Sequence, residues 1–162
     1  DGSVETLLTG LEFANGVALA ADESFVAVAE TGARTVVRHW LTGARAGRRD
    51  YLAQDLPGYP DNISRGTDGL IWVAIASPTD PVVERLKTGP MVLRRGALKL
   101  PAWAQPKPKR TARVVALDAD GRVVHDRAFE ATEFHMATGV REVDGRVWLG
   151  SLVEPAVAWF EL

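Results

Sequence analysis

Apolar residues in this chain come in short runs, and several of the runs are apolar at both parities. Phe25-Val26-Ala27-Val28-Ala29, Leu70-Ile71-Trp72-Val73-Ala74-Ile75-Ala76 and Val147-Trp148-Leu149 show no alternation with polar residues. A strand with one wet face alternates, so runs of this kind predict strands packed on both faces. Trp72 and Trp148 hold equivalent places in their runs and read as core between layers. Less uniform segments at 4–8, 15–19, 35–41, 49–54, 113–117, 122–126, 139–143 and 156–162 read as further strands. Thr9-Gly10, Asp22-Glu23, Thr31-Gly32, Asp68-Gly69 and Asp144-Gly145 punctuate them as turns, and Asp120-Gly121 marks a hairpin.

The pattern repeats. Phe13-Ala14-Asn15-Gly16-Val17-Ala18-Leu19 leads through a turn to the run at 25–29. Asp61-Asn62-Ile63-Ser64-Arg65 leads to Thr67-Asp68-Gly69 and the run at 70–76, and Thr138-Gly139-Val140-Arg141-Glu142-Val143 leads to Asp144-Gly145 and the run at 146–152. Superposing the turns puts Asn15, Asn62 and Thr138 at one equivalent position, with spacings 62 − 15 = 47 and 138 − 62 = 76. The longer spacing holds a Pro-rich, basic insertion over 78–110, with patchy helical spacing (Val83, Leu86, Met91) interrupted by Pro90.

A period near 47 made only of strands and Asp/Gly turns predicts β-propeller blades. The expected fold is all-β: about three four-stranded blades, half of a six-bladed β-propeller, with a partly helical insertion. The blades fall near 11–57, 58–132 and 133–162 of a single unit spanning 1–162. Twelve strands are expected, the one at 4–8 standing alone and the last blade lacking its outer strand. Three blades leave an open edge at each end. Either a missing N-terminal half closes the ring, or a second copy of the chain does, its 4–8 strand completing the last blade of its partner.

Composition narrows the partners. A net charge of −2 argues against general nucleic-acid binding, which wants a basic surface. There is no Cys, hence no disulfide framework, thiolate metal site or Cys nucleophile. No apolar run approaches the ~20 residues of a membrane span, and no signal peptide opens the chain. With the lack of Cys, this slightly favours a cytoplasmic, reducing setting. From Arg85 to Arg113, both included, stand nine Lys or Arg and no Asp or Glu. That stretch reads as a solvated excursion, with a lid over the axial pocket or a basic patch for an anionic partner as sharper alternatives.

The candidate chemistry centres on Tyr59-Pro60-Asp61-Asn62-Ile63-Ser64-Arg65. Pro60 removes a backbone donor just before an acid and an amide, so Asp61 and Asn62 can be presented from a strand entrance. Neighbouring side-chain oxygens suit a hard cation such as Ca²⁺. Ordinary Asx turn chemistry is the alternative. His135, three residues before Thr138, is placed to act as a general base on a metal-bound water, or to make local hydrogen bonds as a loop histidine. His39 reads as packing, His125 as solvated, and Glu30 as a hydrogen-bonding group toward a neighbouring blade. No Ser-His-Asp arrangement, phosphate-binding loop or dinucleotide fingerprint is present.

Phe13-Ala14-Asn15-Gly16-Val17-Ala18-Leu19, Ala29-Glu30-Thr31-Gly32, His39-Trp40-Leu41 and Gly58-Tyr59-Pro60-Asp61-Asn62-Ile63-Ser64 together resemble the C-terminal half of strictosidine synthase-like proteins. These are six-bladed propellers related to paraoxonases and the gluconolactonase group. The resemblance implies that Asn15, Asp61 and Asn62 match Ca²⁺ ligands, and that the remaining ligands belong to an N-terminal half absent from this sequence. It also implies that Thr138 stands where the plant enzymes carry the Glu that joins an amine to an aldehyde. A threonine hydroxyl is no proton acceptor at neutral pH, so that reaction is not expected. The leading expectation is Ca²⁺-dependent hydrolysis of a small lactone or ester, with His135 and Thr138 at the catalytic position. The alternative is a non-catalytic binding or scaffold propeller whose axis holds a structural ion or none.

Overall fold

A computed structural model describes residues 2–89, 110–130 and 133–162. Strands β1 (Ala14–Leu19), β2 (Phe25–Glu30), β3 (Thr35–Trp40) and β4 (Arg49–Ala53) form an antiparallel sheet in chain order. β5 (Gly58–Arg65), β6 (Ile71–Pro78), β7 (Thr111–Leu117) and β8 (Val123–Glu130) form the second, and β9 (Ala137–Val143), β10 (Arg146–Ser151) and β11 (Val157–Glu161) form a three-stranded third. The first strand of each sheet is the inner one: β1 packs on β5, and β5 on β9. The chain is a partial β-propeller.

Two apolar layers lie between the sheets, and β6 explains the unbroken run in the sequence. Its Ile71, Val73 and Ile75 face the first sheet, packing with Ala18, Phe25, Val36 and Ile63. Its Trp72 and Ala74 face the third sheet, packing with Val140, Val147 and Leu149. Both parities are buried because both faces have neighbours, each side chain contributing roughly 1.5–3 kcal/mol. Trp148, expected to be core like Trp72, is instead 39% exposed and lies beside Trp159 on the open face of the third sheet. Trp72 is enclosed by a sheet on either side, whereas Trp148 faces outward from the last one.

Polar clamps complete the interfaces. Glu142, 1% exposed, accepts hydrogen bonds from the backbone N–H of Thr67 (2.6 Å), Asp68 (3.2 Å) and Gly145 (2.7 Å), and from Thr67 Oγ1. It thereby ties the end of β9 to the β5–β6 turn. Burial pushes its carboxyl up, but these donors together hold it below the usual range. Glu30 plays a related part within the first sheet, accepting from Glu12 N–H and Thr35 Oγ1. The neighbouring-blade contact expected of Glu30 is therefore a contact within its own blade.

The strand expected over residues 4–8 does not form. Val4 is 95% exposed and Leu7 54%, so the segment finds no partner edge. Among the described residues eleven strands stand where twelve were expected. His125, expected to be solvated, stacks on Trp72 with ring centroids 5.5 Å apart. The insertion opens with helix α1 (Pro81–Thr88), capped by Asp80 Oδ1 on Val82 N–H at 2.7 Å, with Pro81 at the first helical position. Tyr59 Oη donates to Glu84 at 2.6 Å and pins this helix to β5. Met91 and most of the basic stretch lie outside the described residues.

Candidate functional site

All three inner strands are interrupted near their starts. In the first sheet Ala14 pairs with Glu30 and Val17 with Val28, so Asn15 and Gly16 together face Ala29. In the second, Pro60 pairs with Ile75 and Ile63 with Val73, so Asp61 and Asn62 face Ala74. In the third, Ala137 pairs with Ser151 and Gly139 with Gly150, leaving Thr138 unpaired. Each is a β-bulge, which bends a strand and re-aims the side chain it carries. Asn15, Asp61, Asn62 and Thr138 are all bulge residues.

Local chemistry makes the bulges. Phe13 and Met136, two residues before Asn15 and Thr138, both adopt the left-handed conformation, at φ 59° and φ 49°. Their carbonyls take corresponding bonds, from Thr31 N–H and Leu152 N–H. In the second sheet no residue there takes that conformation, and the ladder instead shifts on both sides of Pro60, which lacks a backbone donor. The ladders also revise the repeat. The first pairs past the bulge are 63 − 17 = 46 apart, so Asp61 and not Asn62 stands where Asn15 stands. The turn aspartates Asp22 and Asp68 keep the same spacing, 68 − 22 = 46, so the spacing of 47 overshoots by one.

The bulges of the first two sheets meet. A Cβ on Gly16 would come within 2.6 Å of Asn62 Cα, so only glycine admits this approach. Thr31 Oγ1 donates to the Pro60 carbonyl at 2.6 Å, and Asn15 Nδ2 donates to Thr31 Oγ1 at 3.3 Å. Asn62 Nδ2 donates to Asp61 Oδ1 (3.1 Å) and to the Thr138 carbonyl (2.9 Å), which brings the third sheet into the cluster. Asn15 also hydrogen-bonds the Asp61 carboxylate. Burial raises the Asp61 carboxyl above its ordinary value, against the lowering effect of Asn15 and of the Asn62 backbone. The donors that reach Asp61 are largely the N–H₂ ends of amides, which can turn about.

The set is one carboxylate, two amides and a backbone carbonyl, all oxygen donors once the amides turn. That chemistry fits Ca²⁺ in kind. It falls short in number, since Ca²⁺ takes about six to eight oxygens. Among the described residues no group of three or more His, Cys, Asp or Glu is arranged to hold a metal ion.

His135 lies apart from this hydrogen-bonded cluster. Its Nδ1 is in hydrogen-bond contact with Glu154 Oε1, and its carbonyl accepts from Ser151 Oγ at 2.6 Å. Ser151 Oγ also accepts from Glu154 N–H at 3.1 Å, and Arg110 Nη2 approaches Glu154 Oε1 at 3.5 Å. Three residues along the chain from His135 to Thr138 span at most about 10 Å. Tyr59, at the entrance of β5, has its phenol pushed up to about 12, first by burial and then by its bond to Glu84. Neither Glu154 nor Glu142 stands out in the sequence. Glu142 had one signal: it shares strand parity with the core residue Val140.

A strictosidine synthase family model matches residues 2–44. Protein STRICTOSIDINE SYNTHASE-LIKE 10 of Arabidopsis thaliana is 36% identical over 167 aligned positions, covering 96% of this chain and 43% of that protein. The chain thus spans about two fifths of the length of the curated relatives it matches. Among solved structures, a gluconolactonase from Xanthomonas campestris aligns with TM-score 0.57 at 15% identity, over 94% of this chain and 38% of its own. Regucalcin from Agrobacterium tumefaciens, a calcium-binding protein, aligns with TM-score 0.55 at 13% identity, over 95% and 44%. These two likenesses concern the fold.

Proposed function

The chain belongs to the strictosidine synthase-like family, and from that premise we propose that it supplies part of the site of a Ca²⁺-dependent hydrolase of small lactones or esters. The reading rests on one observation: three bulges converge Asn15, Asp61 and Asn62, joined through the Thr138 carbonyl, into one cluster. Asp61 would hold the ion by charge, with the Asn15 and Asn62 amide oxygens turned inward. When bound, Ca²⁺ supplies polarisation of a carbonyl and stabilisation of negative charge on its oxygen. His135 would take the proton from the attacking water. Thr138 offers a hydroxyl without proton-accepting power, which is why amine–aldehyde condensation is not proposed.

The remaining ligands would come from further blades, supplied by an N-terminal half or by a second copy. The half-propeller reading, with units near 11–57, 58–132 and 133–162, belongs to the same proposal. The exposed apolar side chains Val157, Trp159 and Trp148 on the third sheet support the need for a neighbour. Sedimentation of the isolated chain as a stable monomer would exclude the second copy. The test of function is hydrolysis of a lactone panel and phenyl acetate by the intact protein, with and without chelator. Activity that requires Ca²⁺ and is lost in Asp61→Ala is expected, and activity indifferent to both overturns the metal mechanism.

A second reading has its own support. The amide hydrogens of Asn15 and Asn62 already satisfy Asp61 without an ion, as in a non-catalytic binding or scaffold propeller. Calorimetric titration separates the two: no heat with Ca²⁺ in the assembled protein favours the scaffold.

A further inference from the structure

We propose that Glu154 is the positioning residue for His135, fixing the imidazole in the tautomer that carries its proton on Nδ1 and leaves Nε2 as the proton acceptor. The inference rests on the reading of His135 as the base, but its structural content can be tested apart from any activity.

The residue is held at its ring and at its backbone. Glu154 Oε1 contacts Nδ1, and a carboxylate can only accept there, so the proton must sit on Nδ1. The carbonyl of the same residue is fixed by Ser151 Oγ, which also takes the N–H of Glu154. Acid and base are therefore both anchored to the single serine that ends β10. On the next residue, Met136 N–H donates to the Thr111 carbonyl and Leu152 N–H to the Met136 carbonyl. These bonds hold Met136 in its left-handed conformation, and the strain is stored beside His135.

Both side chains are largely covered, His135 at 14% and Glu154 at 20% exposure. Among the described residues no hydrogen bond reaches His135 Nε2, so the ring has one committed nitrogen and one uncommitted. Among the described residues, the charged groups facing the imidazole are Glu154, from the turn after β10, and, behind it, Arg110, from the segment leading into β7. Arg110 Nη2 also donates to the Glu133 carbonyl at 3.2 Å, which steadies the guanidinium on the far side of Glu154. A clamp serving only to hold the 151–154 turn would have no need to specify a tautomer. The carboxylate–imidazole arrangement does specify one, and that difference is measurable.

The experiment is ¹⁵N-labelled NMR of the 162-residue chain, reading the tautomer of neutral His135 from its long-range ¹H–¹⁵N couplings. The Nδ1–H form should dominate in the wild type. Glu154→Gln, which keeps an acceptor, should preserve it, whereas Glu154→Ala should shift the population toward Nε2–H. An Nε2–H ring in the wild type overturns the proposal. So does an unchanged tautomer in a folded Glu154→Ala chain. In the intact protein, Glu154→Ala should lower kcat by about 10- to 100-fold with KM little changed, the usual effect of removing an orienting partner. If the tautomer behaves as expected but no substrate is hydrolysed, the positioning role stands and the hydrolase reading fails.

Discussion

Glu142 and Asp61 sit at opposite ends of the sheets and are treated in opposite ways. Glu142 is buried and satisfied by backbone N–H groups that cannot turn away, so its carboxyl is held low. Asp61 is partly covered and satisfied mainly by side-chain amides, so burial wins and its carboxyl is raised. The first arrangement is finished and needs nothing further. The second leaves a charge whose partners can reverse their polarity, a requirement for a site that must receive something. The turn end of this propeller is built for stability, and the bulge end carries its stability less firmly.

The strongest way to break that comparison is to remove each acid in turn. Glu142→Ala should lower unfolding free energy by at least about 3 kcal/mol, because several buried donors lose their acceptor together. Asp61→Ala should change it by less than about 1 kcal/mol, since its amide partners can re-pair with water. Urea unfolding of both variants decides the matter, and equal losses would end the distinction.

Next in size come the glycines of the bulges. Gly16→Ala drives a Cβ into the Asn62 backbone and should cost about 2–3 kcal/mol. Gly139, in the third sheet, would meet the Gly150 backbone only at 3.5 Å, so Gly139→Ala should shift stability by at most about 1 kcal/mol either way. A large loss at Gly139 would mean the third bulge is as tightly engaged as the first.

Acid unfolding sharpens the comparison further. The Glu142 carboxyl is lower in the folded chain than its ordinary 4.5, so its contribution is present above that value. It is lost as pH falls through the lowered folded value. Glu142→Gln should therefore flatten the acid limb of a stability–pH profile below about pH 4.5, relative to wild type.

How much of this was legible in advance differs between the two ends. The radial sheets were legible because unbroken runs such as 70–76 need neighbours on both faces, and Asp/Gly turns mark the hairpins. The false strand at 4–8 arose because apolar residues ahead of a Thr-Gly turn suggest a strand, whereas a strand needs an edge to pair with. Asp61 and Asn62 stand out by residue type and Asn15 through the repeat and the family resemblance, but the bulges that present them depend on a two-against-one count with another strand. Glu154 was out of reach, because nothing local to a loop glutamate says that it will meet a histidine nineteen residues earlier.

The smallest expected effect tests the bulge end most directly. A carboxyl raised in the folded chain favours folding below its ordinary value of 3.8, and loses that contribution as pH rises through the raised folded value. At neutral pH, without a cation, the Asp61 charge is then a slight liability. Asp61→Asn keeps the shape and removes the charge, so it should raise Tm by a few °C at most at pH 7. The advantage should disappear near pH 3, where wild-type Asp61 is protonated. Thermal melts of the two chains at both pH values, in chelator, make the measurement. A Tm that falls in Asp61→Asn at pH 7 would mean that the amides prefer their charged partner, and that the bulge end is as settled in its bonding as the Glu142 clamp.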